Sequence, residues 1–228
     1  MRVLLIPGFG ASQRDFQNYK EVFDNFEVVD LQRCITLDDH LSRIDAQVVS
    51  KKGSVNIIGV SWGGILAMIY AERFPKSVDR LVITGTDRKL RLPQSLTMIM
   101  KFPFPIFCLM VFLYILVFPV VRIIDPKEYR QKYGGIGILR RNGWKNTHQA
   151  YRKSLLVTEF RGTLFCPTLL LNLSSDFLIS KEIIDDLKST GQKVIVKYVA
   201  PLEESQIHMS HELDSLIIRE ANLTFPLL

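Results

Sequence analysis

Six short runs in this 228-residue chain are built on consecutive apolar positions: Arg2–Ile6, Phe26–Leu31, Ser54–Val60, Asp79–Thr86, Cys166–Leu173 and Lys193–Ala200. A strand with one face in water alternates apolar and polar residues, whereas a strand covered on both faces does not. Between the runs, Gln13–Asp24, Leu37–Ser50, Gly63–Phe74, Ser180–Ser189 and Glu212–Ala221 carry amphipathic or alanine-bearing helical spacing. Strands of this kind alternating with helices predict an α/β fold: a mostly parallel six-stranded sheet flanked by helices, with right-handed crossovers.

The alternation breaks once. From residue 88 to residue 163 there is no run of the strand type. The spacing predicts a core made of residues 1–87 and 164–228, and a helical cap inserted at 88–163. The cap opens on FPFPIFCLMVFLYILVFPVV, Phe102–Val121, twenty residues without a charge. That is the length of a transmembrane helix. Its prolines, Pro103, Pro105 and Pro119, leave a proline-free run of 13 residues, Ile106–Phe118. As a helix that run measures about 20 Å, short of an apolar core of roughly 30 Å.

Candidate chemistry stands at the strand ends, where open α/β sheets place their sites. The third run leads into GVSWGG, Gly59–Gly64, a G-x-S-x-G pattern between a strand and a helix. In that setting the turn lifts the serine hydroxyl above the sheet, and the glycines avoid collisions with the flanking strand and helix. The first run leads into PGFGAS, a loop placed to give a backbone N–H to an oxyanion. The expected donors are Phe9 and Trp62. Gly8-Phe9-Gly10 also begins the dinucleotide pattern G-x-G-x-x-G, but Gln13 stands where the third glycine belongs. The fifth run is followed by SSDFLIS with Asp176, and the sixth by IHMSHELD with His208 and His211. Nucleophile, acid and base in the order Ser61, Asp176, His208 make a triad in the order such a sheet uses. Asp87, after the fourth run, is the reserve acid. His211 is the alternative base, although its position falls in the first turn of the final helix.

These residues carry a resemblance. LLIPGFG, NIIGVSWGGILAMIYAERFPKSVDRLVITGT and PTLLLNLSSDFLIS resemble the oxyanion loop, elbow and acid loop of the α/β-hydrolase superfamily. The Ser-Trp-Gly-Gly form of the elbow is similar to that of intracellular polyhydroxyalkanoate depolymerases and related 3-hydroxyacyl-processing enzymes. Pro7 replaces the usual histidine of the oxyanion loop, and Ile207 replaces the glycine before the histidine. The resemblance covers the two flanks and not the insertion. It implies a compact member lacking the first two strands of the family, acting as a serine esterase or thioesterase.

Composition adds limits. With 47% apolar and 23% charged residues the chain is ordinary globular protein. Its three cysteines, Cys34, Cys108 and Cys166, form no disulfide framework, and its four histidines no zinc pattern. No cofactor or metal is expected. The apolar start is too short for a signal peptide, so a cytoplasmic protein is expected, with a peripheral membrane association left open. The formal charge is +6, and Arg122–Arg161 holds ten Lys or Arg against three acids. That asymmetry predicts an anionic partner: a membrane surface, coenzyme A or acyl carrier protein. No recognition motif for nucleic acid accompanies it. The order of the triad decides against a span, because Ser61 precedes Phe102–Val121 while Asp176 and His208 follow it. The expectation is a lid over Ser61, with Phe107, Met110, Val111 and Tyr114 binding a lipophilic acyl group and the apolar cap able to form a homodimer. The expected function is hydrolysis of a lipophilic ester or acyl thioester. An acyltransferase or lyase on the same scaffold, and a non-catalytic binding protein, are the alternatives.

Overall fold

In the computed structural model six strands form one sheet: β1 (Arg2–Ile6), β2 (Asn25–Val28), β3 (Val55–Val60), β4 (Val78–Thr84), β5 (Thr168–Leu173) and β6 (Val194–Val199). The structure describes residues 2–11, 13, 16, 19–20, 22–50, 53–90, 94–124, 139, 142–173, 194–199 and 219. The spatial order is β2-β1-β3-β4-β5-β6, and all five pairings are parallel. The predicted α/β class and six-stranded sheet are therefore observed. From β1 the chain steps to one side to form β2, then returns to place β3 on the other side of β1. The crevice at such a reversal, at the carboxyl ends of the strands, is where open α/β sheets bind ligands.

The chain divides into two compact units. One comprises Met1–Leu31, His40–Arg91 and Glu159–Leu228, and the other Gln32–Asp39 and Leu92–Thr158. The first holds the sheet. Val3, Leu4, Leu5 and Ile6 of β1 are all fully buried, as are Ile57, Ile58, Leu81 and Leu169 from its neighbours. Both faces are covered, which is why the sequence shows runs rather than alternation. On one face Val3, Leu5, Val28, Ile58, Val82, Leu169 and Leu171 pack with Phe16, Tyr19, Phe23 and Phe26. Tyr19 stacks on Phe26 with ring centroids 5.3 Å apart. The α-helix expected over Gln13–Asp24 is corrected where the structure describes it: Gln13, Phe16, Tyr19 and Lys20 adopt the tighter 3₁₀ form. Aromatics three apart, Phe16 and Tyr19, eclipse on a 3₁₀ helix and so meet the sheet together.

Helix α1 (Leu37–Val49) begins where Thr36 and Asp39 exchange hydrogen bonds: the Asp39 N–H donates to Thr36 Oγ1 at 3.1 Å, and the Thr36 N–H to Asp39 Oδ2 at 2.8 Å. This reciprocal cap satisfies two of the donors that a helix start leaves free. Helix α2 (Trp62–Arg73) is buried from Trp62 through Ala71. A helix buried all round needs no amphipathic stripe, and WGGILAMIYA has none. The Tyr70 hydroxyl donates to Asp45 Oδ1 at 2.9 Å and ties α2 to α1. Burial, with that carboxylate beside it, pushes the phenol far above its usual range. The helices expected over Ser180–Ser189 and Glu212–Ala221 lie outside the described residues, except for Arg219.

The second unit contains α3 (Gln94–Lys101), α4 (Phe104–Ile124), α5 (Trp144–Ala150) and a π-helical turn, Tyr151–Leu155. His148 of α5 bonds through Nε2 to the Phe102 carbonyl, 2.9 Å away, and its ring meets that of Phe107 at 4.9 Å with a tilt of 36°. It thus fastens the α3–α4 junction. The limit drawn from the prolines is wrong. Helix α4 runs 21 residues, about 31 Å, with Pro105 in its first turn and Pro119 inside it. Proline is tolerated in a first turn because the N–H there has no helical partner anyway. Among the described residues no helix is long and apolar enough to cross a membrane, although the backbone length of α4 alone would suffice. The sheet decides the matter. β4 precedes α4, β5 follows it, and the two pair from Leu81↔Thr168 to Thr84↔Leu171. A single span would set these hydrogen-bonded strands on opposite sides of a bilayer.

Candidate active site

Ser61 occupies the turn between β3 and α2 with φ 53° and ψ −121°. Such a backbone is rare for a residue with a side chain; Arg33 is the other non-glycine with positive φ among the described residues. The turn is held at both ends. The Ser61 N–H donates to the Thr84 carbonyl at 2.9 Å, and the Gly64 N–H donates to the Ser61 carbonyl at 2.9 Å. The first bond ties the turn to the end of β4, and the second starts α2.

The glycines of the motif are required by contact. A Cβ on Gly59 would lie 2.7 Å from the Gly64 Cα and 2.9 Å from the Ala67 Cβ. One on Gly63 would lie 2.6 Å from both the Ile6 carbonyl carbon and the Pro7 oxygen. The start of α2 is therefore pressed against the end of β1. That closeness brings the first-strand loop to the serine: a Cβ on Gly8 would be 3.4 Å from the Ser61 Cβ and 3.9 Å from Oγ. Two motifs about fifty residues apart meet because β1 and β3 are neighbours in the sheet. Phe9 follows Gly8, and the loop closes by the Ala11 N–H donating to the Gly8 carbonyl at 3.1 Å.

Trp62, the other expected oxyanion donor, is fully buried, and its indole Nε1 has no hydrogen-bond partner among the described residues. Its ring meets the edge of His40 at 5.8 Å and 82°. His40 belongs to no motif of the sequence and is fully buried on α1. Its signal was the spacing His40, Ile44, Val48, a buried stripe of helical period. Asp87, the reserve acid, is buried just beyond β4, where its carboxylate accepts from the Arg88 N–H. The Arg88 carbonyl in turn accepts from the Phe160 N–H at 2.8 Å.

Asp176, His208 and His211 lie outside the described residues. Their places in the chain are fixed by the strands before them: Asp176 comes three residues after β5, and His208 nine after β6. Since all strands are parallel, both segments leave from the sheet edge that carries Ser61. Strands are about 4.8 Å apart, so β6 lies roughly 14 Å from β3 across the sheet. Nine residues extend to about 30 Å, enough chain to return a histidine to Ser61. Phe107, Met110, Val111 and Tyr114 belong to the second unit. Phe107 is fully buried against Phe104 and His148, Met110 is open to solvent, Val111 is half-buried, and the Tyr114 side chain lies outside those described. Among the described residues no group of three His, Cys, Asp or Glu side chains could hold a metal ion.

Burial raises the Cys166 thiol above its usual range, since charge is costly where water is excluded. A neutral buried thiol is a weak nucleophile.

Comparison with known proteins agrees with this geometry. Residues 6–115 match a family model described as the alpha/beta hydrolase fold. No curated protein matches the chain by sequence. Among solved structures, ClbQ from the colibactin NRPS/PKS pathway superposes with a TM-score of 0.65 at 16% identity, covering 100% of this chain and 98% of that one. A marine microorganism esterase gives 0.61 at 17% identity, with 98% and 95% covered. A thioesterase domain from the curacin biosynthetic pathway gives 0.59 at 18% identity, with 95% and 90% covered. The chain has the α/β-hydrolase fold.

Proposed function

We propose that this α/β-hydrolase-fold chain is a serine hydrolase that cleaves a lipophilic ester or acyl thioester through an acyl-serine intermediate. The observation that carries the reading is the conformation of Ser61, held at positive φ between β3 and α2 and beside Gly8 at the point where the strand order reverses. A fold does not need strain there, and strained residues gather at functional sites.

In this mechanism Ser61 Oγ attacks the acyl carbonyl while His208 takes its proton. Asp176 holds the imidazole in the required tautomer and stabilises its cation. The backbone N–H groups of Phe9 and Trp62 receive the oxyanion, each worth roughly 3–4 kcal/mol by comparison with measured removals of such donors. Collapse of the tetrahedral intermediate breaks the bond to the leaving alcohol or thiol, which departs with the proton from His208. Water, deprotonated by the same histidine, then releases the acid and restores Ser61. The solved esterase and thioesterase domain of the same fold support this class of leaving group.

The test is labelling with a fluorophosphonate, which reacts with an activated serine hydroxyl. The wild-type chain is expected to label at Ser61 and to hydrolyse a medium-chain p-nitrophenyl ester; Ser61→Ala is expected to lose both. Full hydrolysis in that variant, or no labelling of the wild type, refutes the proposal.

A further inference from the structure

We propose that the second unit docks on an anionic phospholipid surface through the exposed face of α4. Ile106, Leu109, Met110, Phe112, Leu113 and Leu116 are between 38% and 58% exposed. At 100° per residue they fall within an arc of about 160° on one side of the helix, and buried Phe107 and half-buried Cys108 and Val111 fall on the other. Among the described side chains this face offers no hydrogen-bonding group. A soluble partner would leave its own buried polar groups without partners against it, whereas acyl chains need none.

Charge selects the occupant. Of the 29 basic and 23 acidic residues, 11 and 4 fall in the second unit, a net of +7; the first unit, with 18 and 19, nets −1. The whole positive excess of the chain therefore sits in the unit that carries the apolar face. Lys101 is exposed at the end of α3, three residues before α4, and Lys145, Arg152 and Lys153 are exposed in the following helices. Two copies joined face to face would bring +7 against +7, whereas an anionic bilayer neutralises it. An apolar helical face in a strongly basic setting is the pattern of an interfacial helix that lies in the plane of the membrane.

The inference does not depend on the proposed reaction. It is tested by flotation of the full chain with vesicles of pure phosphatidylcholine, or of phosphatidylcholine with 30% phosphatidylglycerol, at about 0.1 M salt. Binding to the anionic vesicles is expected to be at least about tenfold tighter. Leu109→Glu with Leu113→Glu is expected to weaken it at least about tenfold more. Both sites are solvent-exposed, so the circular dichroism and melting of the double variant should match the wild type. Lys101→Glu is expected to weaken binding to anionic vesicles alone, and Ser61→Ala to bind like the wild type. Absence of binding to either vesicle, or equal binding to both, overturns the proposal. So does a dimer in sedimentation that the double variant dissolves, because a second copy then covers the face.

Discussion

The backbone at Ser61 makes a prediction independent of any substrate. Its angles, 53° and −121°, are those of the first central position of a type II′ turn, where glycine is the natural occupant. A side chain held there costs roughly 1–3 kcal/mol. Ser61→Gly removes that strain but adds freedom to the unfolded chain, which costs about 0.4–1 kcal/mol. Ser61→Ala keeps the strain and removes only the hydroxyl. The bonds that hold the turn, to Thr84 and from Gly64, are backbone bonds and persist in all three proteins. Ser61→Gly should therefore be more stable than Ser61→Ala by about 0.5–2 kcal/mol, while both lack the nucleophile.

The two variants are compared by urea denaturation, read at equal slope so that the midpoint reports stability alone. In thermal melts the same difference is about 1–8 °C for a chain of this size. If Ser61→Gly proves no more stable than Ser61→Ala, the turn stores no strain and the structural basis of the proposed nucleophile fails. If the prediction holds, the wild-type protein gives up stability at one residue, as expected where a backbone is constrained for function rather than folding.

Gly63→Ala should destabilise the chain by at least about 1–3 kcal/mol and abolish fluorophosphonate labelling, because its Cβ meets backbone of Ile6 and Pro7 that cannot yield without moving the first-strand loop. Gly53→Ala is the control: its Cβ meets nothing within 4 Å, and only its positive φ resists substitution, so labelling should survive. Burial pushes the Tyr151 phenol up to about 12, against about 10 in the unfolded chain. Its contribution is present below pH 10 and lost as pH rises from 10 to 12, so Tyr151→Phe should flatten the alkaline fall in stability by roughly 2–3 kcal/mol in urea titrations.

The central strands were legible because burial on both faces leaves consecutive apolar residues, whereas at the edges β2 is buried only at Phe26 and Val28 and Ile195 of β6 is 45% exposed. What escaped the sequence had physical reasons. Phe16, Tyr19 and Phe23 recur at intervals of three and four, which an α-helix and a 3₁₀ helix can both present to a sheet. Pro119 reads as a stop, yet one lost hydrogen bond did not end a helix whose other residues favour continuing. His40 carried no motif, and its part in packing Trp62 follows from α1 and α2 lying together over the sheet. The strand order was the deeper omission. G-x-S-x-G and PGFG were each visible as strand-end loops, but neither shows that they share a site. They meet because β2 leaves β1 on one side and β3 returns on the other, so that Gly63 presses on Ile6 and Gly8 lies beside Ser61. A glycine needed for that contact is evidence about the partner strand as much as about the turn, and Gly63→Ala is in that sense a test of topology made at a single atom.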